Sequence, residues 1–297
     1  MTSSDVAFEP GPQELGARPA TRRRRFELLR FVVRRGPIAC FLVGAFLIVA
    51  LFGQWLEPYN PNAIDLLSRL QGSSWEHLLG TDQYGRDILS RLIAAARVAA
   101  EAALIVVVIG GAIGTVFGLV AGGLGGAVDM VISRIVEVIQ SFPVVLLAIA
   151  LVAILGPSLF NAMLAAGIGA IPDFARISRG IALQLRRREF VEAARSAGAS
   201  ELRILRSDVF PNLVGSLVVI TSFDAAQAVM YESALSFLGL GVQPPQASYG
   251  VMLSESTAYL NQAAYYAIYT GIALALVILG LNLFGDTLSD YFDRGSR

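Results

Sequence analysis

Apolar and polar stretches alternate along the chain at lengths that point to long helices. Pro37–Leu56 is a run of 20 residues without a charge. At about 1.5 Å of rise per residue, such a run crosses a hydrocarbon core of roughly 30 Å. Five further apolar runs follow: Ala102–Val128, Val138–Leu155, Leu159–Ala175, Leu213–Leu240 and Ala263–Phe284. The pattern predicts an all-α integral membrane protein with six transmembrane helices. Pro143 predicts a kink in the third run, and Gly156-Pro157-Ser158 a tight turn after it. In the second run Gly110, Gly114, Gly118 and Gly122 recur every fourth residue. Such a stripe lets helix backbones touch in lipid, either inside one bundle, the commoner use, or between two copies of the chain.

The polar intervals divide the chain. Residues 1–36 form a tail. Met1–Ala20 is rich in Pro, Gly, Ser and Ala and reads as disordered, and Arg22–Arg25, Arg30, Arg34 and Arg35 make a basic block. Pro37–Leu56 exceeds the 7–15 apolar residues typical of a signal peptide and has no A-x-A-like end, so an uncleaved helix is expected. Residues 57–96 form a loop flanked by Trp55 and containing Trp75, in keeping with an interface. Ile88, Leu89, Leu92, Ile93 and Ala96 share one helical face, which predicts an amphipathic helix on the surface leading into the second span. Residues 97–285 hold the other five spans, with a polar loop at 176–212, and 286–297 are a charged tail.

Composition agrees with the pattern. The chain is 55% hydrophobic and only 15% charged, against roughly 25% charged in soluble domains. Its mean hydropathy is +0.62. Net charge is zero, but the distribution is uneven. The intervals that share a side with the N-terminus hold 19 of the 23 basic residues, and the opposite intervals hold four. The excess of positive charge places both termini and the 176–212 loop in the cytoplasm. All 23 basic residues are arginine. A P-loop needs its lysine, so ATP-driven work would need another polypeptide to bind the nucleotide. With a single cysteine, Cys40, and a single histidine, His77, the chain offers no disulfide framework, no metal cluster and no base for an intramembrane serine protease. His77 reads as a solvated loop residue.

Two stretches carry recognisable motifs. Arg186–Asn212 opens with three arginines and continues as a helix-forming sequence interrupted by Gly198 and closed by Pro211. Phe190, Val191, Ala194, Ala197, Leu202 and Leu205 supply a short apolar face. Glu192-Ala193-Ala194, Gly198 and Pro211 resemble the EAA loop of bacterial ABC-importer permeases. Asp208 and Phe210 depart from the residues usual there. Leu79–Arg91, with Gly80, Thr81, Asp82, Gly85, Arg86 and Asp87, is similar to the GTDxxGRDxxSR signature of the dipeptide/oligopeptide/nickel branch, of DppC or OppC type. Physically, Gly80 and Gly85 bracket a turn and Asp87 can cap the next helix. A structural role for this loop is favoured over direct substrate contact. Glu232 begins a stretch, Glu232–Gly241, that is again similar to this branch.

The resemblance covers roughly Trp75 to Arg294. It implies a type I ABC importer permease in the bacterial inner membrane, serving di- or oligopeptides, glutathione-like thiols or nickel complexes. The loop around Glu192 and Gly198 would dock as a coupling helix on an ATPase. The implied partners are a second, homologous permease, two ATPase subunits or one fused ATPase, an extracytoplasmic binding protein and membrane lipid, with no nucleic acid. No cofactor is expected on this chain, ATP and Mg being held by the ATPases.

Asp224 and Glu232 are the carboxylates well inside a predicted span. A charge at mid-membrane costs about 2.5–3.5 kcal/mol on insertion scales, so such groups face a partner or a watery path. Each is a candidate pathway residue. A structural hydrogen bond to a neighbouring helix is the other reading, most evenly balanced for Glu232. A secondary transporter or channel using these two carboxylates is the alternative function. It lacks the inverted repeat with broken helices expected of that class.

Overall fold

A computed structural model of the chain describes Phe31 and residues 33–295. The reading of residues 1–30 as a disordered, basic tail lies outside the described residues. Nine helices of eight or more residues are found among those described: α1 (Pro37–Leu56), α2 (Ile88–Leu124), α3 (Gly126–Gln140), α4 (Val144–Leu155), α5 (Leu159–Arg186), α6 (Glu189–Ser196), α7 (Glu201–Phe237), α8 (Tyr249–Ser256) and α9 (Ala264–Gly295). Among the described residues there is no strand, only one antiparallel bridge between Thr81 and Asp87.

Four helices are long and apolar enough to cross a membrane: α1, α2, α7 and α9. α3 and α4 together make a fifth if the pair, bent by 82°, is one span. The break falls at Ser141–Pro143, as the proline predicts, because Pro143 lacks the amide hydrogen a continuous helix would use. α5 has the length to span, with 28 residues, but Asn161, Asp173 and Arg176 lower its apolar character.

Several boundaries differ from the pattern of apolar runs. The amphipathic stretch and the second span form one uninterrupted helix, α2, of 37 residues. Its first turns are not on the surface: Ile88, Leu92, Ala95 and Ala96 pack in a core with Val43, Phe46, Tyr249, Met252 and Tyr266. Helical periodicity reveals an apolar face but not what covers it, and here α1, α8 and α9 do. α9 runs to Gly295, so the charged tail continues the last span. Pro211 does not end its segment. The chain widens to a π turn at Leu205–Val209, where the Phe210 amide donates to the Leu205 carbonyl. The Asn212 side-chain amide also donates to the Asp208 carbonyl at 2.7 Å. These adjustments carry the helix past the proline.

The largest helix contact is α2 on α5, and the glycine stripe makes it. A Cβ on Gly110 would sit 2.7 Å from the Ala170 Cβ, and one on Gly114 2.7 Å from the Phe174 Cβ. One on Gly122 would sit 2.7 Å from both the Ala182 Cβ and the Arg179 carbonyl oxygen. The partner positions rise together along both helices, so α2 and α5 run parallel. The bent α3–α4 pair therefore returns the chain along the bundle. The stripe serves packing within the chain.

Candidate functional site

The loop between α5 and α7 is fixed on one side and bare on the other. Val191 of α6 is buried with Ala182, Ile204, Leu205, Val209 and Leu213, which ties the short helix to α5 and α7. Glu192, Ala193, Ala197 and Gly198 are exposed, as are Phe190 (47%) and Leu202 (77%). The apolar face expected here is thus split: Val191 and Leu205 face the bundle, whereas Phe190, Ala197 and Leu202 face outward. Gly198 ends α6 with φ +84, a left-handed conformation that costs a residue with a Cβ roughly 1–2 kcal/mol. Its amide donates to the Arg195 carbonyl at 3.0 Å, and the Ala199 amide to the Ala194 carbonyl at 3.1 Å. Arg195 then clamps Glu201 with two bonds, of 2.7 and 3.1 Å, and sets the angle between α6 and α7. A groove of ≈ 460 Å³ lies alongside, lined by Ala194, Ala197, Gly198, Ala199, Arg203, Ser207 and Asp208.

The Gly80–Asp87 loop folds around Asp82, which is fully buried. Its Oδ1 accepts the amides of Tyr84 at 2.8 Å and Arg86 at 3.0 Å. Its Oδ2 accepts from Arg86 Nε at 2.6 Å and from Arg91 Nη1. The outer nitrogens of both arginines reach Glu255 of α8, at 3.0 and 3.1 Å. The Tyr266 hydroxyl donates to the same carboxylate at 2.9 Å. Two carboxylates thus face two guanidiniums with little water present. Burial pushes the Glu255 carboxyl up, but Arg91 and Arg86 more than offset this and hold it below its ordinary value. Gly85 has φ +75, and a Cβ there would overlap the Asp65 carbonyl. Asp87 caps α2, accepting from the Ser90 amide at 2.8 Å and the Ser90 hydroxyl at 2.7 Å. Its other oxygen lies 3.0 Å from His77 Nδ1, and the histidine side chain is only 14% exposed. His77 is therefore not a solvated residue: it helps fasten the loop to the start of α2.

The two intramembrane carboxylates have different surroundings. Glu232 is 1% exposed. It accepts from the hydroxyls of Ser236 at 2.7 Å and Ser233 at 3.2 Å. The Ser236 hydroxyl also accepts the Val242 amide at 3.0 Å, so Glu232 anchors the turn after α7. Asp224 is buried too, at 8% exposure, yet its Oδ2 has no hydrogen-bond partner among the described residues.

Comparison with known proteins gives this geometry a family. The family described as "Binding-protein-dependent transport system inner membrane component" matches residues 114–297. The chain belongs to that family. The permease is 40% identical to the probable D,D-dipeptide transport system permease protein DdpC of Escherichia coli strain K12, over 83% of each chain. It is 38% identical to the dipeptide transport system permease protein DppC of Alkalihalophilus pseudofirmus, over 86% of this chain and 84% of that one. It is 40% identical to the glutathione transport system permease protein GsiD of Pectobacterium atrosepticum, over 91% and 89%. In fold it is similar to a chain of the inward-facing MetNI methionine ABC transporter, with a TM-score of 0.53 and 19% identity, over 67% of this chain and 93% of that one.

The permease is thus an inner-membrane component of a bacterial ABC importer, and the secondary-transporter reading falls away. The family match takes in the Glu192–Gly198 loop, Asp224 and Glu232, and begins after the Asp82 loop. Glu255 and Tyr266 lie outside the motifs read in the sequence, whereas Arg91 is the last residue of the GTDxxGRDxxSR-like stretch. Glu255 left one trace: it is the sole carboxylate in Gly239–Tyr259, an interval with no arginine.

Proposed function

We propose that this chain is one of two homologous permease subunits of an ATP-driven importer of dipeptides and other small peptides, glutathione included. It crosses the membrane six times with both termini in the cytoplasm. The arginine distribution supports this topology, and so does the parallel packing of α2 on α5, which needs α3–α4 to traverse the bundle and α5 to be a span in its own right. The loop around Glu192, Ala193, Ala194 and Gly198, with Asp208 and Pro211 at its far side, couples the helices to ATPase subunits, two or one fused, which hold ATP and Mg. An extracytoplasmic binding protein delivers substrate to the opposite face, where the Gly80–Asp87 loop is a scaffold. The subunit itself carries no catalytic site; its work is to form the path and change its access, which requires the partners to interact differently with the two states.

One observation carries the reading of the loop. Its inward side is pinned through Val191, while apolar Phe190, Ala197 and Leu202 stand exposed beside an open groove. Solvent gives no reason to keep such side chains bare on a membrane protein's water-facing loop, whereas a docking ATPase does.

Gly198→Trp is expected to leave the permease in the membrane and to abolish both transport and co-purification of the ATPase. Nothing lies within 4 Å of a Cβ placed there, so the bundle itself is not disturbed. Because the positive φ adds local strain, Ala197→Trp, at an ordinary φ of -77, serves as a second probe. Undiminished ATPase recovery with both variants would remove the loop from the interface.

A further inference from the structure

Between α2 and α7 the bundle opens into a groove of ≈ 620 Å³. Gly111, Leu119, Phe174 and Leu217 make its wall apolar, and Thr115 and Thr221 bring two hydroxyls. One end is different. There Leu205 meets the end of α2, where a Cβ on Gly123 would run into the Leu205 side chain, and Arg206 and Phe210 join the wall. Arg206 is the one charged group among the described residues that line the groove. It is exposed, and its side chain donates to no oxygen among the described residues. Arg176, Arg179 and Arg186 of α5 and Arg195 of α6 each donate to a carboxylate, a side-chain amide or a backbone carbonyl. Arg203 lines the separate groove beside Gly198.

Size selects the occupant. The wall runs from Gly111 to Val120 on α2 and from Phe210 to Thr221 on α7, so it is about 14–17 Å long at 1.5 Å per residue. One leaflet of hydrocarbon is about 15 Å deep, half of roughly 30 Å. The volume over that length leaves a cross-section of about 40 Å². An α-helix with its side chains is about 10–12 Å across, hence about 80–110 Å² in section, and cannot sink in. A peptide would leave most of its amides without partners against so apolar a wall. An alkyl chain suits both the bore and the surface.

We infer that the α2–α7 groove holds an acyl chain of an anionic phospholipid, whose phosphate is bound by Arg206 at the groove's end. The inference goes beyond the importer reading and does not rest on it. A planar guanidinium offers a phosphate two parallel charge-assisted hydrogen bonds. No carboxylate occurs among the described residues of the wall, so an ammonium headgroup finds nothing to pair with. A headgroup of net negative charge is therefore favoured over a zwitterionic one. Leu202 belongs both to this wall and to the exposed side of the 176–212 loop, so the lipid lies beside that loop.

The test uses the complete transporter, this chain with its partner subunits, in phosphatidylcholine vesicles. Phosphatidylglycerol with a diazirine on one acyl chain is added as a trace, and the residues labelled on irradiation are mapped by mass spectrometry. Label is expected on α2 between Gly111 and Val120 and on α7 between Phe210 and Thr221. The same probe with a choline headgroup should label these residues about fivefold less, the scale of one arginine at a membrane surface. Arg206→Gln should bring the two probes level, and Arg206→Lys, which keeps the charge, should retain the preference. The ratio of the two probes is read within each variant, so a lower yield of folded protein does not mimic the effect. Equal labelling of the parent protein by the two headgroups, or a preference that survives Arg206→Gln, would overturn the site. Label spread over the exposed faces of α1 and α9 without enrichment in the groove would do so too. No label in the groove would likewise overturn it and leave that face to the second permease subunit.

Discussion

Asp82 accepts four donors, and two of them are guanidinium nitrogens of arginines that also grip Glu255 from a distant part of the chain. Such a cluster is balanced only while complete, because removing one partner strands a buried charge. Glu255→Gln is expected to cost about 3 kcal/mol at pH 7, read as a lowered Tm of the detergent-solubilised protein. The pH dependence has a definite sign. A carboxyl held below its ordinary value stabilises the fold above the unfolded value, about 4.3 for glutamate, and loses that contribution as pH falls through the folded value. The parent protein should therefore lose stability on acidification through this window, and Glu255→Gln should show a flatter profile there. Identical profiles would mean that the ion cluster does not hold the loop. At this scale the sequence was half legible. Gly80, Gly85 and Asp87 announced a turn and a cap through their residue types, since those choices are local. Nothing local showed that Glu255 and Tyr266 complete the cluster, or that His77 rests on Asp87.

The helices show the same division at the next scale. The glycine repeat in α2 declared a close contact, because only the missing Cβ explains four such residues at a spacing of four. Gly118→Leu would drive a side chain into the Ala175 carbonyl and the Ser178 side chain. Overpacking of this kind costs about 1–3 kcal/mol or more, and should appear as a lowered Tm and a smaller folded fraction on gel filtration. Unchanged stability would show that α2 and α5 can part without penalty. The turn after α7 depends on Glu232 in a different way. Glu232→Ala should leave the Ser236 hydroxyl without its acceptor and speed hydrogen exchange at the Val242 amide, which that hydroxyl receives. Exchange at the parent rate would detach Glu232 from this turn. Pro211 is the instructive departure. A proline marks where the amide hydrogen is lost, and the widened π turn before it lets the helix continue.

For the molecule as a whole, the uneven distribution of arginines gives an expected orientation. With Cys40 replaced, a cysteine at Ser200 is expected to react with an impermeant maleimide only after the membrane is opened, and one at Ser74 in intact spheroplasts. The reverse labelling would invert the topology and remove the 186–212 loop from any cytoplasmic ATPase. The apolar runs could be read from the sequence because lipid imposes them on each segment separately. A span needs about 20 apolar residues wherever its neighbours lie. What meets what was decided only by the tertiary structure. Glu255 reaches Arg86 across 169 positions, and α2 lies parallel to α5 because α3–α4 turns the chain back. Neutralising a buried charge or filling a groove depends on distance in space, and separation along the chain carries almost no information about that distance.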